Sequence, residues 1–315
     1  MNPFQDRYDA CNGGTNASKY AELPDFPCII DVELTSSCNF RCLMCPTGNR
    51  SLKRPAVLMT DKTLLAIIDQ CVEHDTALRF IGWGEPTLHP VLVPALRQAR
   101  GLLTHINTNG SKITPEFAFD LVEAGLSSIK FSFQGVDAES YEEMRQIRFF
   151  EGMLKAIKVM RSARGDRALP YIAASTSITY ETPKMVEDFR ARLGPLVDRL
   201  SIGHTTFDFM DMSAVRLRPG QRAMLERLKG LSSDAKQHPS PCPEVFQKLS
   251  IQADGSVVLC CNDFDGTVNL GNVNAIPLSD LWRHPKIEAY RKRLVRDDYD
   301  APLCRDCYDY MDLTG

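Results

Sequence analysis

No apolar run in this chain is long enough to cross a bilayer as a helix. Charge of one sign is also lacking: Lys+Arg number 37 against 40 Asp+Glu, a net charge of −3. That balance provides neither the basic footprint of a nucleic-acid binder nor a polybasic segment for membranes. There is no internal repeat and no low-complexity tract. Residues 1–23 are polar and rich in Gly and Asn, without the apolar core of a secretory signal. They read as a loosely ordered arm on a cytoplasmic protein. The shortage that matters most is a fourth cysteine near Cys38, Cys42 and Cys45.

Cysteine itself is plentiful, at 11 of 315 residues. Without an export signal, disulfides are a poor account of so many. Seven fall into two groups with ligand-like spacing, so metal is the better account. The first group is Cys38-x3-Cys42-x2-Cys45. An iron–sulfur cube normally takes four thiolates, and three leave one iron with an open position. Zinc wants four ligands and does not usually use this spacing. The second group is Cys242, Cys260, Cys304 and Cys307, separated by 17, 43 and two residues. Four thiolates make a closed site, with either an iron–sulfur cube or zinc as its occupant. Cys28 and Cys71 sit in apolar surroundings and read as core packing; Cys11 reads as an exposed bystander.

Apolar periodicity sets the architecture. Strands are predicted at 28–35, 77–81, 104–108, 128–133, 171–179 and 199–204. Helices are predicted at 61–72, 91–100, 115–124, 138–145, 150–164 and 183–193. Strand and helix alternate six times, which means a parallel sheet with crossover helices. Beyond it, 248–252 and 256–260 form a hairpin around Asp254-Gly255, and a helix is predicted over 279–295. The linear division is an arm at 1–27, an α/β core at 28–205, a linker with a helix at 221–231 within 206–240, and a small cysteine-bearing domain at 241–315.

In parallel barrels, chemistry sits on the loops after the carboxyl ends of the strands. Here the first strand runs into the cysteine loop, and the second into Gly82-Trp83-Gly84-Glu85-Pro86. The third runs into Thr108-Asn109-Gly110. The fourth carries Ser132 and Gln134, the fifth ends near Ser175 and Ser177, and the sixth ends at His204. Every unusual polar or glycine-rich cluster therefore falls at the same end of the predicted strands.

The cysteine triplet and Gly-Trp-Gly-Glu-Pro together resemble the radical S-adenosylmethionine (radical SAM) superfamily. The resemblance implies a partial (β/α)6 TIM-like barrel. It implies that the open iron of a [4Fe–4S] cluster is chelated by the amino and carboxylate groups of S-adenosyl-L-methionine. Reduction then breaks a carbon–sulfur bond and releases a 5′-deoxyadenosyl radical. By the same resemblance, Gly82, Gly84 and Glu85 face the SAM amino group. Asn109, Ser132, Gln134 and Ser177 hydrogen-bond its ribose and carboxylate, and Met44 stacks on the adenine. Trp83 departs from the family's usual glycine. A flavodoxin or ferredoxin-type reductant is implied as partner.

Residues 240–310 resemble the SPASM/Twitch extension of the same enzymes, a C-terminal β-hairpin and helix that hold iron–sulfur. The cysteines of a second auxiliary cluster are missing, so the resemblance implies two [4Fe–4S] clusters in all, one binding SAM and one auxiliary. The strand pleat points Cys260 and Cys261 to opposite faces, so one ligates and the other stays free. Cys260 is taken as the ligand. A free Cys261 thiol then becomes a candidate hydrogen-atom donor, and His204 a candidate proton carrier. The four-cysteine spacing is similar to that of 2-deoxy-scyllo-inosamine dehydrogenase, which oxidises a secondary alcohol of an aminocyclitol. The expected activity is dehydrogenation of a sugar, cyclitol or similar polar small molecule, with the auxiliary cluster as electron acceptor. Epimerisation with Cys261 as donor and maturation of a ribosomal peptide are the enzymatic alternatives. Only 27 residues precede the first strand, fewer than a leader-binding domain needs. An electron carrier is the non-enzymatic alternative, but a carrier gains nothing from an open iron. Anaerobic reconstitution is expected to give about eight iron and eight sulfide per chain. Cys42→Ala is expected to abolish reductive SAM cleavage, read as 5′-deoxyadenosine.

Overall fold

The computed structural model describes residues 2–12, 14–207, 210–232, 242, 244–305 and 307. Its elements run α1 (Pro3–Asn12), α2 (Asn16–Ala21), β1 (Ile29–Val32), α3 (Asp61–Glu73), β2 (Ala77–Phe80), α4 (Leu92–Gln98), β3 (Thr104–Thr108) and α5 (Pro115–Glu123). They continue with β4 (Ser128–Ser132), α6 (Ala138–Arg145), α7 (Phe150–Arg164), β5 (Tyr171–Ile178), α8 (Pro183–Leu193), β6 (Arg199–His204) and α9 (Pro219–Leu231). The last are α10 (Glu244–Gln247), β7 (Lys248–Ile251), β8 (Ser256–Val258), β9 (Asn269–Asn272), α11 (Leu278–Trp282), α12 (Pro285–Leu294) and α13 (Pro302–Arg305). Residues 208–209 and 233–240 of the linker lie outside the described residues. Among those described, no helix is long and apolar enough to cross a membrane.

The chain divides into two compact units. The first takes residues 1–37, 54–106 and 238–308; the second takes 38–53, 107–237 and 309–315.

In the first unit the strand order is β3-β2-β1-β7-β8-β9. β2, β1 and β7 pair in parallel, and β7, β8 and β9 pair antiparallel. The hairpin predicted near the C-terminus therefore adds directly to β1. All four residues of β1 are buried, as a strand covered on both faces requires. α3 begins where the Thr60 side chain accepts from the Thr63 N–H. Where a loose arm was expected, α1 and α2 are helical. Thr15 and Ser18 close a capping box on α2, and Asn16 is buried. Its Nδ2 donates to the Leu294 carbonyl at 3.1 Å and to the Tyr299 hydroxyl at 2.9 Å.

The helix predicted over 279–295 is two helices. Pro285 has no N–H to continue the first, and His284 before it is extended at φ −59°, ψ 138°. The break lets α12 return against Trp282. Arg291, fully buried, lies over the Trp282 ring with its Cζ 4.0 Å from the centroid. It donates to the carbonyls of Val245 (2.7 Å) and Trp282 (2.9 Å).

The second unit holds β4, β5 and β6, all parallel. α5 and α8 open with Thr-Pro, the threonine as cap and the proline in the first turn. Phe133, Tyr141, Phe150 and Phe189 pack edge to face around one ring, with centroids 5.5–6.0 Å from Phe133. Leu43, from the cysteine loop, sits in a core with Met144, Phe207, Val215, Leu225 and Leu228.

Arg291→Met keeps the packing volume but leaves two buried carbonyls unpaired. It is expected to lower unfolding free energy by about 3 kcal/mol, read by urea titration.

Candidate functional site

In the second unit, residues 38–45 form an irregular loop held by its own backbone. The Cys45 N–H donates to the Cys42 carbonyl at 3.3 Å, and the Leu43 N–H to the Met144 carbonyl at 2.9 Å. Asn49, buried, donates from Nδ2 to the Leu43 carbonyl at 2.9 Å and from its N–H to the Cys45 carbonyl at 2.8 Å. A Cβ on Gly48 would lie 2.3 Å from the Cys42 carbonyl oxygen, so only glycine lets the loop close.

This closure brings the three thiols into one another's electrostatic field. Burial pushes the Cys45 thiol up to about 12, and the charges of Cys42 and then Cys38 add to that. Three thiolates that repel one another favour a cation among them, so the donor set fits iron. The Phe40 N–H and Asn109 Nδ2 reach the Cys38 sulfur at 3.5 and 3.8 Å. Asn109 also donates to Asn39 Oδ1 at 2.9 Å.

Arg145 was missed in the sequence. It is buried at the end of α6 and donates from Nη1 to the Cys42 sulfur at 3.5 Å and from Nη2 to the Ser132 carbonyl. Its Nε has no hydrogen-bond partner among the described residues. Burial alone would lower its pKa, but Cys42 and Tyr141 outweigh it and the guanidinium is held charged. The available signal was one arginine in a short helix beside Tyr141 and Met144, both core residues.

Gln134, Ser177 and Thr205 form a separate group at the carboxyl ends of β4–β6. Gln134 Nε2 donates to the Ser177 carbonyl at 3.2 Å and to the Thr205 hydroxyl. His204 closes β6, paired with Ile178. Met44 is partly buried against the methionine-rich core beside Leu43.

In the first unit, the Gly82–Glu85 loop lies on the residues that follow β1. The Glu85 N–H donates to the Ser37 carbonyl at 2.9 Å. A Cβ on Gly84 would meet the Thr35 carbonyl oxygen at 2.0 Å. The Glu85 carboxylate is buried and caps the turn at Pro86–Leu88 through the Thr87 N–H at 3.2 Å and hydroxyl at 2.6 Å. Glu33 is the hub of this region. It takes a bidentate pair from Arg54 at 2.9 and 3.0 Å, the Trp83 N–H at 3.0 Å and the Ala253 N–H at 3.1 Å. The Trp83 indole donates to the Cys261 carbonyl at 3.2 Å and packs edge-on to Phe264 at 5.3 Å.

The second cysteine group lies in the same unit. Burial pushes Cys304 up to about 12, with Cys242 and Cys307 adding to it. Burial raises Cys260 as well, and Cys242 is among its charged neighbours. The Cys307 sulfur accepts from Asn262 Nδ2 at 3.7 Å, and Asn16 Oδ1 accepts the Cys242 N–H at 2.9 Å. Four thiols with overlapping fields are a donor set that fits an iron–sulfur cluster. Cys261 has other neighbours. Its sulfur, a Glu244 oxygen and an Asp31 oxygen lie within 4.8 Å of one another.

Comparison with known proteins agrees with this chemistry. A family model for the radical SAM superfamily matches residues 32–193, and one for an iron–sulfur cluster-binding domain, SPASM, matches 242–308. The chain belongs to the radical SAM superfamily, in its SPASM/Twitch subgroup, and is a radical SAM enzyme. Its cofactors are S-adenosyl-L-methionine, a [4Fe–4S] cluster and auxiliary iron–sulfur.

Among curated relatives, the AdoMet-dependent heme synthase of Methanosarcina barkeri is 31% identical over 144 residues, covering 45% of this chain and 41% of that protein. The AdoMet-dependent heme synthase of Oleidesulfovibrio alaskensis is 28% identical over 342 residues, covering 97% and 86%. Among solved structures, BtrN in complex with AdoMet and 2-DOIA aligns with a TM-score of 0.55 at 19% identity, covering 90% of this chain and 93% of BtrN. Streptococcus suis SuiB bound to S-adenosylmethionine aligns at 0.68 and 15%, covering 92% and 74%. These likenesses show the fold, a mostly parallel α/β partial barrel of the radical SAM kind.

Gly84→Ala is expected to weaken SAM binding at least tenfold in equilibrium dialysis. Gly194→Ala, which meets no atom within 4 Å, is expected to leave it unchanged.

Proposed function

We propose that this enzyme is a radical SAM oxidoreductase that dehydrogenates a secondary alcohol of a sugar, cyclitol or similar polar small molecule. The observation that carries the reading is the closed second set: Cys242, Cys260, Cys304 and Cys307 supply four thiols, so a cluster there keeps no position for substrate. A closed site stores an electron; an open one binds a ligand. Cys260, whose field includes Cys242, takes the ligand role, and Cys261, grouped with Asp31 and Glu244, does not.

In this reading Cys38, Cys42 and Cys45 hold the SAM-binding cluster. Gly82, Gly84 and the Glu85 backbone hold the SAM amino group. Arg145 meets the SAM carboxylate with its unused Nε, being a buried cation beside the Cys42 thiol. Asn109, Ser132, Gln134 and Ser177 serve the remaining SAM polar groups, and Met44 its adenine. When bound, SAM and the clusters supply a 5′-deoxyadenosyl radical that removes a hydrogen atom and an acceptor for the remaining electron. The chain's own task is to place the substrate and to carry away the hydroxyl proton, for which His204 at the end of β6 is the candidate. A cytoplasmic setting and a flavodoxin or ferredoxin-type reductant complete the proposal. The near-full-length alignment with BtrN, solved with 2-DOIA, supports a small substrate.

With dithionite, SAM and substrate, anaerobic turnover is expected to yield 5′-deoxyadenosine and an oxidised product with no solvent deuterium. Cys304→Ala is expected to keep 5′-deoxyadenosine formation and lose the product at least tenfold. Deuterium uptake at the reacting carbon identifies an epimerase instead. Turnover only with a peptide identifies a maturase.

A further inference from the structure

One row of polar side chains in the first unit lies outside the two cysteine sets and the Gly82–Glu85 loop. Backbone register pairs Asp31 of β1 with Arg79 of β2 and with Ser250 of β7, and Arg79 with His105 of β3. Register partners on neighbouring strands send their side chains to the same face. Ser250, Asp31, Arg79 and His105 therefore stand side by side across four strands. Below them, toward the amino ends of the strands, the layer is apolar. Ile29 and Ala77 pack with Phe4 and Leu103, and the Phe4 ring stacks on His105 with centroids 5.0 Å apart. Above them, Cys261 and Glu244 close in on Asp31.

The charges of this layer are already matched. Arg79 holds Asp31 through two hydrogen bonds of 2.6 Å, and Lys248 holds Glu244 at 2.6 Å. Two carboxylates with their own cations leave little field for a metal ion. The Ser250 hydroxyl and the second Glu244 oxygen have no hydrogen-bond partner among the described residues, although Ser250 is only 6% exposed. Buried polar atoms without partners are costly and uncommon, so each asks for an occupant. Arg79 stands three residues before Gly82, so the row lies at most about 11 Å along the chain from that loop.

We propose that this row is the recognition floor for the substrate, a small ligand bearing hydroxyl groups or a hydroxyl and an amine. Ser250 Oγ bonds a ligand hydroxyl, and the spare Glu244 oxygen accepts from a hydroxyl or an ammonium at the same end of the ligand. The assignment rests on the proposed function, which it deepens. The Ser250 hydroxyl makes no hydrogen bond among the described residues, so removing it takes none from the fold they form. Loss of binding in Ser250→Ala therefore reports recognition.

The test is equilibrium dialysis of scyllo-inosamine and myo-inositol against the anaerobically reconstituted enzyme without reductant, alongside thermal unfolding. Ser250→Ala is expected to weaken binding of at least one probe about tenfold, with Tm unchanged or higher. Glu244→Gln is expected to weaken scyllo-inosamine more than myo-inositol, because only the former carries an ammonium. Unchanged affinity in Ser250→Ala overturns the assignment and leaves water as the occupant. A lower Tm in that variant overturns it by giving the hydroxyl a structural role, and wild-type binding of neither probe overturns the ligand class. Failure of wild-type enzyme to form 5′-deoxyadenosine contradicts the proposed function, while Ser250-dependent binding still upholds this site.

Discussion

Like charges forced together are the constraint on which this protein is built. In the loop of Cys38, Cys42 and Cys45, burial, and after it the charges of Cys42 and Cys38, raise the cost of ionising Cys45. A metal that takes the place of the thiol protons lets all three stand there as thiolates. The surrounding residues hold the loop: Gly48 lets the backbone close, Asn49 ties two carbonyls, and Arg145 supplies one permanent positive charge. The second group repeats the principle with four thiols, and Asn16 from an N-terminal helix steadies the backbone of the first of them.

The two thiol sets differ in number, and that difference separates their chemistry. Three donors leave a metal unsaturated, whereas four complete it. Cys260 and Cys261 lie beyond the end of β8 at Val258, and the irregular backbone there gives the two neighbours different surroundings. One enters the field of Cys242, and the other enters a neutralised layer of carboxylates and cations. Glu33 organises the same unit through geometry. A single carboxylate gathers Arg54, the Trp83 amide and the Ala253 amide, and its side chain occupies the space a Cβ on Gly82 would need.

Much of this was legible because it is local. Thr-Pro at 114–115 and 182–183 marked two helix starts, and the apolar periods placed the six parallel strands within a few residues. Pro285 was equally legible as a breaker, yet the apolar stripe on either side of it concealed the break. What could not be read was long-range. Nothing near Glu33 indicates that Arg54 returns to it, and nothing near Ser250 indicates that it will stand beside Asp31. Such meetings are set by which strands pair, and the pairing of β7 with β1 joins residues more than 200 positions apart. Arg145 was hidden for the same reason, since its partner Cys42 lies 103 residues away.

The central claim is that the triplet keeps one iron open for SAM. Electron–nuclear double resonance on the reduced enzyme with all four thiols of the second set intact, and SAM labelled with 15N at its amino group and 17O at its carboxylate, tests it directly. The account predicts hyperfine coupling of both labels to the cluster. A spectrum that is indifferent to SAM, with a centre fully ligated by side chains, would contradict it.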